Sequence, residues 1–304
     1  MILASDKNRI GFLIPEFPGQ THAFFMRERQ ELGVLGVDTS LISTRRPVAG
    51  AGSAKHGWAE TAAKETAYLF PLKLTALIQS LWVGLLAGPR VWYRCLAVVF
   101  GVKMSERPKM MAMIIAGAFL KRYCSERGIT HVHVHSCANS ANVAMFMYIL
   151  GGPSYSLTLH GPLRDYGSNQ DNKWKYAKFC IVITRELLAE VEERLEKIEL
   201  PPIYLAPMGV RVNEFKRKSE YIAPSSGQEV RLVSCGRLNF VKGHDDLIRA
   251  VAMLKGRGVT ARLHICGSSD SLSEVGSYAN GLKKLCAELG VTDTVTFLGS
   301  ISEE

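Results

Sequence analysis

The sequence has no C-x-x-C pair, no uncharged apolar run as long as a membrane span, and no acidic residue between Thr66 and Ser105. Its 7 cysteines, at positions 95, 124, 137, 180, 235, 266 and 286, are odd in number and scattered. That pattern fits neither a disulfide framework nor a zinc site, so we expect a reducing cytosol and cysteines that act as small buried apolar residues. The longest uncharged apolar stretch, Leu74 to Pro89, is shorter than the roughly 20 residues of a spanning helix. No charged segment, apolar core and small-residue cleavage site opens the chain, so no secretory leader is expected. The 304 residues are 47% hydrophobic and 21% charged, which excludes disordered, collagenous and coiled-coil classes and suggests two domains.

Charge is unevenly placed. Of the formal +9, residues 1–150 carry 17 basic and 9 acidic side chains, whereas the remainder is nearly balanced. Within 69–124 there are 8 basic residues and a single acidic one, Glu106. Such a local bias implies an anionic partner for the first half. Aromatic and apolar residues (Leu77, Leu81, Trp82, Leu85, Trp92, Tyr93) interleave with Lys73, Arg90, Arg94 and Lys103. A peripheral anionic membrane surface is therefore one expected partner, and a helical hairpin capping the sheet is the plainer reading. Nucleic acid is not expected, since no motif for it accompanies the charge.

The hydrophobic pattern alternates between strand and helix. Strands are expected at Arg9–Pro15 and Val37–Ser43, with a Pro/Gly loop at 16–21, a helix to about Leu35, and a surface loop over 44–66. From Leu69 to about Arg127 the pattern is helical, broken at Gly88-Pro89 and Arg107-Pro108. Strands follow at Thr130–His135, Ser154–His160, Phe179–Thr184 and Ile203–Leu205, with helices between them. After a polar linker, 216–228, the alternation restarts with strands at 230–235, 262–266 and 294–298. We expect an α/β protein with an N-terminal domain over 1–210, containing a helical insertion at 69–127, and a partial C-terminal domain over 216–304.

The segment Ser234-Cys235-Gly236-Arg237-Leu238-Asn239-Phe240-Val241-Lys242-Gly243-His244 lies between a predicted strand and helix. Its glycines allow close backbone approach, the helix start offers N–H groups, and Arg237 and Lys242 supply two cations, a combination suited to a diphosphate. At this point the chain resembles the retaining GT-B glycosyltransferases of glycosyltransferase family 4. The resemblance extends to Leu263–Gly267, Val295–Gly299, the linker Ala206–Phe215, and the loop Thr158-Leu159-His160-Gly161-Pro162-Leu163-Arg164-Asp165. Gly19–Glu28 is similar to the first βα loop of members that assemble exopolysaccharide or colanic acid. The pattern departs at Met208 and Arg211, where Asn and Asp are usual, and at Gly267-Ser268-Ser269, where G-x-G is frequent. The family's two glutamates seven residues apart would fall after residue 304.

The resemblance implies two Rossmann-like domains facing across a cleft, and transfer of a sugar from a nucleoside-diphosphate sugar to a polysaccharide or lipid-linked saccharide, with retention. It places Arg237 and Lys242 on the departing diphosphate, the backbone of Gly19, Gly236 and Gly267 near the donor, and His160 at the reacting sugar. No D-x-D carboxylate pair is present, so cations and backbone N–H groups would stabilise the leaving charge without metal or cofactor. His131, His133 and His135 share a face of one strand, but no other ligand is expected beside them, so the strand is read as structural. Asp165 reads as a turn residue, Glu28 as solvated or salt-bridged although the resemblance puts it near the acceptor, and Arg45, Arg46 and Arg164 as surface charges. Rival readings are another GT-B enzyme, an epimerase or phosphorylase, and a non-catalytic fragment that docks on a membrane or partner.

Overall fold

The computed structural model describes residues 9–47, 56–71, 78, 80, 82, 86–225, 227–268 and 278–301. Lys73, Leu74, Leu77, Leu81, Leu85 and Ser269, named above, lie outside them. The chain divides into two compact units: Met1–Phe17, His22–Arg46 and Thr61–Val210 in the first, and Pro18–Thr21, Pro47–Glu60 and Arg211–Glu304 in the second.

The first unit is built on a 7-stranded parallel sheet. Its strands are β1 (Arg9–Glu16), β2 (Asp38–Arg45), β3 (Ala67–Phe70), β4 (His131–Val134), β5 (Ser154–Leu159), β6 (Phe179–Val182) and β7 (Ile203–Leu205), in the order β3-β2-β1-β4-β5-β6-β7. Near-continuous apolar strands such as Ile10–Pro15 suit a sheet covered on both faces. The covering helices are α1 (Ala23–Val34), α2 (Ala59–Glu65), α3 (Pro89–Gly101), α4 (Arg107–Glu126), α5 (Asn139–Ile149), α6 (Gln170–Lys175) and α7 (Arg185–Arg194).

Two elements differ from the sequence reading. α2 occupies part of the expected loop, because Ala59-Glu60-Thr61-Ala62-Ala63-Lys64-Glu65 is rich in strong helix formers. β3 replaces the start of the expected helix: Ala67-Tyr68-Leu69-Phe70 is too short to show a period, and its pairing with β2 (Ile42 opposite Ala67, Arg45 opposite Phe70) fixes it as a strand. The expected breaks at Pro89 and Pro108 are helix starts, where a missing N–H costs nothing.

α5 is buried along almost its whole circumference, and α4 packs tightly on it. A Cβ at Gly117 of α4 would lie 2.8 Å from the backbone nitrogen of Met147, so this crossing tolerates no side chain. α3 buries Cys95, Val98 and Val99 in the same core. Its opposite face is open: Tyr93 and Phe100 are 76% and 61% exposed, beside exposed Arg90 and Arg94, and Lys103 and Met104 are exposed just beyond the helix end. Trp92 packs partly buried against the core, as a hairpin capping the sheet would have it, whereas Trp82 and Leu86 are exposed. Among the described residues no helix is long and apolar enough to cross a membrane.

The second unit holds a parallel sheet of 3 strands, β8 (Val230–Cys235), β9 (Ala261–Cys266) and β10 (Val295–Gly299), ordered β10-β9-β8. Helices α8 (His244–Gly256) and α9 (Tyr278–Glu288) pack on one face through Ile248, Val251, Leu282 and Cys286, against Leu263 and Ile265. Six cysteines are buried as expected; Cys235, at the end of β8, is exposed, because β8 alternates its side chains and Cys235 falls on the uncovered face.

Candidate functional site

Each unit gathers polar groups at the carboxyl ends of its parallel strands, where open α/β sheets place their ligands. In the first unit the chain runs outward from β1 through β2 to β3, then returns to the other side of β1 with β4. The strand order reverses between β1 and β4, and that switch point opens a crevice. His135 follows β4 and His160 follows β5 at this edge.

The three alternating histidines fare differently. His131 bonds Ser154 Oγ and Ser156 Oγ through its two nitrogens, at 2.8 and 2.7 Å. His133 bonds Ser156 Oγ and Thr158 Oγ1 at 2.7 and 2.8 Å. This hydroxyl ladder on β5 keeps both rings structural. His135 has no hydrogen-bond partner for either nitrogen among the described residues, and its side chain is fully buried against the rings of Phe12 and Phe25, with centroids at 4.1 and 4.7 Å. Burial lowers the pKa of His131 and His160 to about 4 and of His133 to about 3, and it lowers that of His135 as well. All four rings are neutral at pH 7.

Glu28 is where sequence reasoning fell short. No ligand was expected beside the histidines, yet α1 brings the Glu28 carboxylate to 3.8 Å from His135 Nε2. Burial raises its pKa to about 7. The ligand atoms of Glu28, His133 and His135 lie within 4.8 Å of one another, close enough to consider a metal. His133, however, gives both nitrogens to hydroxyls, which leaves one imidazole and one carboxylate. His160 Nε2 is buried without a partner among the described residues, and its ring stands 5.4 Å from that of Phe24. Asp165 is exposed and 3.8 Å from its neighbour Arg164, as a turn residue would be; Arg45 pairs with Glu16 at 2.6 Å.

A buried lysine holds the two loops. Lys173 Nζ of α6 donates to the carbonyls of Cys137, after β4, and Tyr166, after β5, at 2.6 and 3.2 Å. Burial lowers its pKa to about 8. Gln170 donates to the same two carbonyls. The sequence offered no sign of this pair, since nothing in a single chain says that a lysine points inward.

In the second unit the loop from β8 to α8 is stitched to the ends of its neighbours. Gly236 N donates to Cys266 O at 2.9 Å, Leu238 N to Ser268 O at 3.1 Å, and Gly267 N to Gly299 O at 2.8 Å. Gly267 has φ +146, and a Cβ there would fall 1.8 Å from Gly236 O, so the close approach requires glycine. A short 3₁₀ turn, Phe240–Lys242, leads to Gly243 at φ +63 and then to α8. Asn239 Oδ1 caps the turn by accepting from Val241 N at 3.2 Å. The stem of Lys242 lies over Gly236, with Cγ and Cδ 3.9 Å from where a Cβ would be. His244, buried, lies 3.1 Å by its Nε2 from Arg237 O and 3.4 Å by its Nδ1 from Ser234 Oγ. It pins the Arg237 backbone, a role the sequence reading missed. The first turn of α8 also carries Asp245 and Asp246, so an anion here relies on the two cations and loop N–H groups rather than on the helix terminus alone. Structure thus brings together Gly236, Arg237, Lys242 and Gly267 in the second unit, and His160 with Glu28 and His135 in the first.

Residues 216–304 match the family model described as glycosyl transferases group 1. A search of the curated proteins gave no match. Among solved structures, sucrose-phosphate synthase from Thermosynechococcus elongatus is similar with TM-score 0.61 at 15% identity, over 97% of this chain and 71% of that one. A glycosyltransferase from Rickettsia africae gives 0.59 at 14%, over 97% and 69%. Anabaena Alr3699/HepE, solved with UDP and glucose, gives 0.58 at 14%, over 96% and 69%. The fold is α/β with Rossmann-like GT-B neighbours, and the segment that matches the group 1 model lies in the second unit.

Proposed function

We propose that this chain transfers a sugar from a nucleoside-diphosphate sugar to a saccharide or lipid-linked saccharide acceptor, with retention and without metal at the diphosphate. The observation that carries the reading is the β8–α8 loop, which lies inside the segment matching the group 1 family and combines a forced backbone approach at Gly267 with two cations. As the sugar–phosphate bond breaks, negative charge grows on the departing diphosphate, and Arg237, Lys242 and loop N–H groups stabilise it. The main chain at Gly19, Gly236 and Gly267 serves the donor, and His160 faces the sugar as it becomes oxocarbenium-like. UDP-glucose is the first donor to assay, because a fold relative holds UDP and glucose.

Arg237→Ala and Lys242→Ala should each lower turnover roughly tenfold or more, since each removes a cation facing developing charge. The loss should be the same with EDTA present. Near-wild-type rates in both variants would sink the assignment; donor conversion without transfer would point to an epimerase, and phosphate-dependent cleavage of a glycan to a phosphorylase.

We also propose that the open face of α3 rests on an anionic membrane. Tyr93 and Phe100 share that face with Arg90 and Arg94, Lys103 and Met104 are exposed just beyond the helix end, and each basic residue near an anionic leaflet contributes about 1 kcal/mol. Sedimentation with phosphatidylglycerol vesicles should show binding that weakens with salt, is absent with phosphatidylcholine, and drops in an Arg90→Glu, Arg94→Glu, Lys103→Glu triple variant. Failure to bind anionic vesicles at low salt would leave the face as plain solvated surface.

A further inference from the structure

We propose that Cys235 and Cys266 are a redox-modification site: hydrogen peroxide converts Cys235 to a sulfenic acid, and Cys266 closes it to a disulfide that weakens the hold of the β8–α8 loop on the donor. The link to the donor rests on the glycosyltransferase reading; the thiol pair does not. Parallel pairing of β8 and β9 sets the two cysteines directly opposite each other. Leu263 and Ile265 pack with α8 and α9, so by alternation Cys266 lies on the other face of β9, the uncovered face on which Cys235 also falls. Neighbouring strands are about 4.7–4.9 Å apart, inside the roughly 4.4–6.8 Å between Cα atoms that a disulfide spans. The main chain holds the register, with Gly236 N donating to Cys266 O at 2.9 Å. No other strand register among the described residues sets two cysteines opposite each other.

Exposure separates their roles. Cys235 is the one exposed cysteine of the seven, and Cys266 is buried, so peroxide reaches Cys235 first. Burial, and then the neighbouring Cys235, raise the pKa of Cys266, which therefore stays a thiol at pH 7 and acts second. The Cys235 sulfur attacks one peroxide oxygen: an S–O bond forms, the O–O bond breaks, and hydroxide leaves as water with the thiol proton. Cys266 Sγ then attacks Cys235 Sγ; an S–S bond forms, the S–O bond breaks, and the hydroxyl departs as a second water with the Cys266 proton. One peroxide is reduced to two waters while two thiols are oxidised to one disulfide. The next residues in the chain carry the effect to the loop. Gly236 follows Cys235 and Gly267 follows Cys266, and their main chains are too close to admit a Cβ. A disulfide draws the two cysteine Cβ atoms to about 3.8 Å. With no slack between the glycines, the strain passes to the loop that bears Arg237 and Lys242.

The full chain, reduced and then treated with hydrogen peroxide, is blocked with N-ethylmaleimide and digested with trypsin. Cleavage after Arg231, Arg237, Arg262 and Lys283 places each cysteine on its own peptide, so a linked pair of peptides 232–237 and 263–283 is diagnostic. That pair should form and should vanish with dithiothreitol. Cys266→Ala should instead accumulate a Cys235 sulfenic acid that dimedone traps, and Cys235→Ser, altered at an exposed position, should give neither product. By calorimetry the oxidised chain should bind UDP-glucose roughly tenfold more weakly than the reduced chain, with recovery on reduction and no such change in Cys235→Ser. Oxidation without the linked pair, or with Cys235 joined only to a second copy of the chain, would overturn the site. A linked pair with unchanged affinity would overturn its control of the loop. If the pair forms and UDP-glucose binds neither form, the transferase reading falls and the thiol site stands; if UDP-glucose binds and no pair forms, the reverse holds.

Discussion

Replacing Gly267 by alanine should abolish UDP-glucose binding, measured by calorimetry on the full chain, while the first unit still unfolds at its wild-type temperature. The added Cβ would fall 1.8 Å from Gly236 O, well inside any tolerable contact. The backbone also sits at φ +146, which side chains rarely adopt. Overpacking and backbone strain cost roughly 1–3 kcal/mol each, and relief requires moving Gly236, the residue next to Arg237. Gly258→Ala is the control. It too has positive φ, +76, but nothing lies within 4 Å of its Cβ, so it isolates the backbone effect and should leave donor binding nearly intact. Wild-type affinity in Gly267→Ala would mean that the loop does not cradle the donor.

Acid should unfold the first unit over the window between pH 6.5 and about 4. The sign follows from the four neutral histidines. Unfolded, each takes up a proton as pH falls below 6.5; folded, His131 and His160 resist until about 4 and His133 until about 3, with His135 also depressed. Their stabilising contribution is complete above 6.5 and is lost on the way down, at roughly 1.4 kcal/mol per pH unit for each ring. Glu28 works in the opposite sense, favouring the folded state below its ordinary value of 4.5 and losing that contribution as pH rises through about 7. One carboxyl does not offset four imidazoles, so the net effect of falling pH is destabilising. Fluorescence of Trp174, fully buried in this unit, should report a melting temperature that falls steeply across the window. His135→Phe should make the fall shallower. A level melting temperature would refute the burial of these rings as neutral species.

Much of the architecture was readable because parallel strands and amphipathic helices carry their own periods. Ile203–Leu205 and Val230–Cys235 have the expected bounds, and Val295–Gly299 is shifted by one residue. The failures have a common cause. Ala67–Phe70 is a strand by virtue of pairing with β2, a long-range fact that four residues cannot encode. Gly236, Arg237, Lys242 and Gly267 were legible as a motif because they are near one another in the chain or recur at strand ends. Glu28 and His135 are separated by more than a hundred residues, and only the switch point between β1 and β4 joins them. His244 and Lys173 were overlooked because a charged or polar residue gives no sign in sequence that its partner is a main-chain carbonyl.

The Lys173 ammonium, bonded to the carbonyls of Cys137 and Tyr166, makes the loops after β4 and β5 a single mechanical part. A ligand that lifts one must stretch a buried charged contact to the other or carry both along. The main chain at Cys137 and Tyr166 should therefore keep its separation when either loop is displaced. Distance labels on the two loops would show the loop-to-loop distance constant.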